Sequence, residues 1–134
     1  MNENLIQKYV ELIVHVGAAV KKGQYVLIRT TPDQEKIAAL VAKECYKVGA
    51  KRVCMEWRSQ YLDAIDYTYG ETRNLGRLTA YDYGFQKFQT EDLPVLIWLD
   101  AEDPDGLKGA DAKKMAEVKA LRYHLCAQKH GGVG

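Results

Sequence analysis

The residues best suited to chemistry lie in Ile97-Trp98-Leu99-Asp100-Ala101-Glu102-Asp103-Pro104-Asp105-Gly106, where an apolar run empties into four carboxylates within six positions. Clustered acids can hold a hard cation or handle protons. As a calcium loop the stretch fails: with Gly106 as the sixth position, Ala101 and Ala112 fall at the first and twelfth, which must supply oxygen ligands. Hydrolysis at zinc or cobalt wants imidazole beside carboxylate. The histidines are His15, His124 and His130. His124 and His130 stand six apart, on different helix faces, so the segment around Cys126 reads as a basic helix end rather than a ligand cluster. His15 lies beside an apolar stripe and reads as a satisfied boundary residue.

Other chemistries find less support. The sole serine, Ser59, is in no nucleophile elbow. The turn Arg29-Thr30-Thr31-Pro32-Asp33-Gln34 has no glycine, which excludes a dinucleotide fingerprint and a P-loop. Cys45, Cys54 and Cys126 are odd in number and widely spaced, so they read as reduced core thiols, not a disulfide framework or zinc site. Net charge is +1, from 19 basic and 18 acidic residues mixed along the chain. Without a basic cluster, nucleic-acid binding is not expected. No apolar run approaches the roughly 18 residues of a membrane span, and the N-terminus lacks a signal-peptide layout, so the expected location is cytoplasmic.

Positioning these residues requires a scaffold, and the apolar pattern supplies one. Residues 3–21 read as an amphipathic helix with Leu5, Tyr9, Leu12, Ile13, Val16 and Val20 on its buried face, ended by Lys21-Lys22-Gly23. Tyr25-Val26-Leu27-Ile28 is apolar throughout, as in a strand covered on both faces. Thr31-Pro32-Asp33-Gln34 predicts a capping box opening a helix whose stripe is Ile37, Val41, Cys45 and Val48, stopped by Gly49. Arg52–Trp57 is the second strand, and Ser59 opens a helix through Leu62 and Ile65. The tyrosine-rich stretch 67–89 reads as short helices separated by turns, its rings more often half-buried packing with wet hydroxyls, and partner contact their better functional reading. Residues 94–99 form the third strand, and Asp111 caps a last helix with Met115, Val118, Leu121 and Leu125 inward.

This alternation predicts an α/β fold: a small three-layer domain over residues 1–130, with a mainly parallel sheet of about three strands flanked by helices, and a flexible tail at 131–134. Ligands of such sheets bind beyond the strands' carboxyl ends. The candidate ligand-facing rim is therefore Arg29, Thr30 and Thr31, then Glu56, Trp57 and Arg58, then Asp100, Glu102 and Asp103. The residues alone specify a fold and a rim but no catalyst. They leave open a binding module for a small anionic metabolite and a homodimeric interaction domain, since a three-stranded sheet leaves edges poorly covered.

Several landmarks in order carry a family resemblance: Leu5, Tyr9, Leu12, Gly17, Lys22-Gly23-Gln24, Val26 and Ile28; Tyr46-Lys47-Val48-Gly49-Ala50-Lys51-Arg52-Val53 with Trp57; and Glu102-Asp103-Pro104-Asp105 with Leu107, Gly109 and Asp111. Over about residues 5–125 the chain resembles the amino-terminal domain of metal-dependent aminopeptidases of the aminopeptidase T and S type, metallopeptidase family twenty-nine. The resemblance implies hydrolysis of amino-terminal residues from peptides at a two-metal zinc or cobalt centre. It also implies that the metal ligands belong to a second, carboxyl-terminal domain. No catalytic or metal residue is therefore expected in this chain, and a peptide substrate only in a full-length enzyme.

Overall fold

The computed structural model describes residues 3–99 together with Lys114 and Val118. The acidic turn, the cap at Asp111, the inward set Met115, Leu121 and Leu125, the segment with His124, Cys126 and His130, and the tail at 131–134 lie outside the described residues. Val118 lies in helical backbone and is buried. The described residues form two compact units, one of residues 3–59 with 88–99 and the other of residues 60–87 with Lys114 and Val118.

The first unit holds α1 (Glu3–Glu11), β1 (Tyr25–Thr30), α2 (Glu35–Val48), β2 (Arg52–Trp57) and β3 (Val95–Trp98). Its sheet runs β2-β1-β3, and both pairings are parallel. The expected α/β domain, a three-stranded parallel sheet flanked by helices, is what the chain forms. In β1, Val26, Leu27 and Ile28 are all essentially inaccessible, as the unbroken apolar run requires of a central strand. Pro94 precedes β3, where its missing N–H costs no ladder bond.

Val26, Ile28 and Ile97 share one side of the sheet and join Val41 and Cys45 of α2 and Val10 and Val14 of the first helix in the core. Gly49 stops α2 with φ at 109°, a left-handed conformation suited to glycine, and its amide returns to the carbonyls of Cys45 and Tyr46. Gly23, also at positive φ, donates to the Gly49 carbonyl at 2.8 Å, tying the entry of β1 to the end of α2.

The first helix departs from the sequence expectation in length and in face. After Glu11 the backbone widens into a π-helical segment, Leu12–Gly17, in which the Ala18 amide reaches the Ile13 carbonyl at 2.8 Å. It stops short of the expected residue 21, with Ala19 at positive φ. The buried stripe is Val10 and Val14, with Ile6 and Ile13 partly buried beside them. Leu5, Tyr9, Leu12 and Val16 are instead 52–70% exposed. The segment has two apolar stripes, and periodicity cannot choose between them; packing on α2 does.

The capping box is also replaced. Thr31 occupies the N-cap and Pro32 the first position, but the helix opens as one 3₁₀ turn, Pro32–Gln34, without a side-chain cap bond. The Thr31 hydroxyl donates to the Asp33 carboxylate instead. The Gln34 amide, which a capping box would direct to the Thr31 hydroxyl oxygen, donates to the Thr31 carbonyl at 2.9 Å, and the Gln34 side chain turns to Asp33.

The second unit holds α3 (Gln60–Tyr69), α4 (Thr72–Leu75) and α5 (Ala80–Lys87), matching the expected short helices. Thr79 and Asp82 bond reciprocally at the start of α5: the Thr79 amide donates to Asp82 Oδ2 at 2.8 Å, and the Asp82 amide to Thr79 Oγ1 at 3.2 Å. None of these three helices has a fully buried residue.

Candidate functional site at the strand ends

With β2 and β3 on opposite sides of β1, the strand order reverses at β1, and the crevice outside the carboxyl ends of β1 and β3 is where such sheets take ligands. Register decides which side chains meet there. Arg29 stands level with Glu56 on β2 and Trp98 on β3, and Thr30 level with Trp57. Residues on neighbouring strands at one level point to the same face, so Arg29, Glu56 and Trp98 form a row.

The row is in contact. Arg29 Nε donates to Glu56 Oε1, and both side chains are mostly shielded, at 22% and 16% exposure. The guanidinium carbon lies 5.0 Å from the Trp98 ring centroid, within cation–π range. Backbone bonds extend the ladder past the strands: the Arg58 amide donates to the Thr30 carbonyl at 2.8 Å and the Leu99 amide to the Arg29 carbonyl at 2.9 Å. Trp57 and Trp98 remain about half exposed. The structure thus brings Arg29, Glu56 and Trp98 together, with Thr30, Trp57 and Arg58 alongside. Trp98 was not among the expected rim residues; its signal was a tryptophan two positions before Asp100. Asp100, Glu102 and Asp103 lie outside the described residues.

Electrostatics oppose a small anion here. Glu56 already neutralises Arg29. At the entrance of α2, the Thr31 hydroxyl, aided by the Gln34 amide, lowers the Asp33 carboxyl below its ordinary range and keeps a negative charge where an anion would sit. Thr30 contributes something else. It is 1% exposed, and its hydroxyl oxygen finds no partner among the described residues.

A second polar cluster had no sequence signal, because its members are far apart in the chain. Glu44, 8% exposed on the inward side of α2, accepts from Gln7 Nε2 at 3.3 Å and bonds His15 Nε2 at 3.1 Å. His15 is satisfied, as its place at the stripe's edge implies. Beside it, burial first and the charge of Glu44 second push the Cys45 thiol up to about 11, which makes it an inert core group. A two-metal zinc or cobalt centre does not fit these residues. His15 and Glu44 are only two ligands, and no three histidine, cysteine, aspartate or glutamate side chains gather among the described residues.

Comparison with known proteins agrees with the resemblance. The family described as thermophilic metalloprotease (M29) matches residues 2–130. Aminopeptidase AmpS of Bacillus subtilis (strain 168) is 27% identical over 111 residues, covering 83% of this chain and 27% of its own length. Aminopeptidase PepS of Streptococcus thermophilus is 27% identical over 120 residues, with 89% and 29% covered. Aminopeptidase 2 of Geobacillus stearothermophilus is 26% identical over 131 residues, with 98% and 32% covered. Among solved structures, wild-type AmpT from Thermus thermophilus superposes with a TM-score of 0.76 at 20% identity, covering 91% of this chain and 31% of that one, a likeness of fold. The chain spans less than a third of the length of the curated relatives it matches. It belongs to the M29 family of thermophilic metalloproteases.

Proposed function

We propose that this chain is the non-catalytic amino-terminal α/β domain of a metal-dependent aminopeptidase, and that the metal centre is supplied by the part of the family polypeptide beyond the stretch matched here. One observation carries the reading: the family match runs over nearly the whole chain, yet the chain accounts for under a third of each relative. In a complete enzyme the strand-end rim of Arg29, Glu56 and Trp98 walls the peptide cleft, since domain junctions are common places for ligand pockets. The pairing of Arg29 with Glu56 and Trp98 suits that role, because it offers a held aromatic surface rather than a free charge. The reading carries with it a peptide substrate and a cytoplasmic location.

The test is direct. Incubated with cobalt or zinc and an aminoacyl chromogenic substrate, this chain should release no chromophore above the metal-and-buffer control. Metal-dependent turnover by the chain alone would place the chemistry within it and overturn the reading.

A further inference from the structure

Helix α3 is amphipathic in the inverted sense. Tyr61, Leu62, Ile65 and Tyr69 share one side at helical spacing, and all four are 53–79% exposed. The opposite side, Gln60, Asp63, Ala64 and Tyr67, is partly shielded although it includes an amide and a carboxylate. A helix that packs only on its own domain turns its apolar stripe inward and its polar residues to water. Here the stripe faces out, an arrangement that exposes apolar surface until another molecule covers it.

The electrostatics around the stripe select among occupants. The ionised side chains of α3 are Asp63 and Asp66, and Asp66 is exposed at the stripe's border. The last turn of the helix carries no basic residue, so α3 leaves its own negative carboxyl-terminal pole uncompensated. Arg73, just beyond the helix, bonds Glu71 at 3.0 Å. A second copy placed on this face would bring like charge to like charge, and an anionic membrane would be repelled. An apolar surface bordered by cations suits both features, covering the stripe while answering the carboxylate and the helix end. The Tyr69 ring, at that end, is exposed enough to give a cation an aromatic face.

We propose that the outer face of α3 docks a protein partner through an amphipathic helix whose apolar side is flanked by lysine or arginine. The partner's apolar side covers Leu62 and Ile65, and its cations lie toward Asp66 and the carboxyl end of α3. So few side chains make a small contact, with a dissociation constant on the order of 100 μM.

A labelled amphipathic helical peptide of leucine and lysine, titrated with the chain and followed by fluorescence anisotropy, tests this. It should bind in that range, and its leucine–glutamate counterpart should bind at least about tenfold more weakly. Ile65→Lys, or Tyr69→Lys should the first variant fold poorly, should abolish binding while leaving circular dichroism unchanged. Asp66→Lys should weaken the lysine peptide about tenfold and narrow its advantage over the glutamate peptide. Equal affinity for the two peptides, no binding of either, or binding indifferent to both stripe variants would overturn the proposal. So would a stripe-dependent rise in mass with chain concentration and no peptide present, which would assign the face to a second copy. Stripe-dependent binding to phosphatidylcholine vesicles but not to the lysine peptide would assign it to lipid, and would equally overturn the proposal.

Discussion

The middle of β1 and its carboxyl end adjoin along the chain and are physically unlike. Val26, Leu27 and Ile28 are inaccessible and closely packed. At Arg29 and Thr30 the strand meets a guanidinium shared between a carboxylate and a tryptophan ring, and a buried hydroxyl with no partner among the described residues. The middle of the strand holds the fold together. The end carries polar groups paired with one another, at the position where parallel sheets take ligands. The difference teaches that one six-residue strand can pass from core packing to a polar, partly shielded end in a single step along the chain.

Three perturbations break or sharpen that contrast. Ile28→Ala should have the largest effect, costing about 2–5 kcal/mol in denaturant unfolding, because a fully buried aliphatic side chain is removed from a packed core. A loss below about 1 kcal/mol would mean the middle of β1 is not the structural segment.

The second perturbation is alkaline pH. Cys45 is buried in the same core and its thiol is raised from 9.0 to about 11, so the folded state keeps a proton that the unfolded chain releases. Its contribution to stability is complete below about 9 and lost as pH rises through 11. Unfolding midpoints measured from pH 8 to 11 should fall more steeply for the native chain than for Cys45→Ala. Parallel curves would show the thiol is not desolvated in solution.

The smallest effect is expected at Thr30→Val, which keeps the shape and removes the orphan hydroxyl. Stability should rise by about 1 kcal/mol, because an unmade buried hydrogen bond is more costly than an apolar isostere. A loss of stability would show that something in solution satisfies the hydroxyl.

Much of the scaffold was legible because it follows from local rules. The apolar run at Tyr25–Ile28, the proline before β3, and the glycine after Val48 each have one comfortable structural reading, and each was found there. The first helix was misread because both of its faces are apolar, and a period of three to four fits either stripe. The Thr31 cap was misread because the spacing directs the Gln34 amide to the Thr31 hydroxyl, whereas the 3₁₀ turn delivers that amide to the Thr31 carbonyl. In the rim, the strand ends could be placed from sequence. The row of Arg29, Glu56 and Trp98 could not, because side chains that are 27 and 69 positions away along the chain meet only through strand register. The same is true of His15 and Glu44.

The sequence by itself determined the α/β alternation, the burial of β1 on both faces and the family, since short-range pattern and ordered landmarks are properties of the chain read in one dimension. Only the tertiary structure decided which stripe of the first helix is buried, what neutralises Arg29 and where a hydroxyl goes unsatisfied. Those outcomes depend on which distant groups arrive within a few ångströms, and that is set by parallel register and helix packing rather than by any residue's own preference.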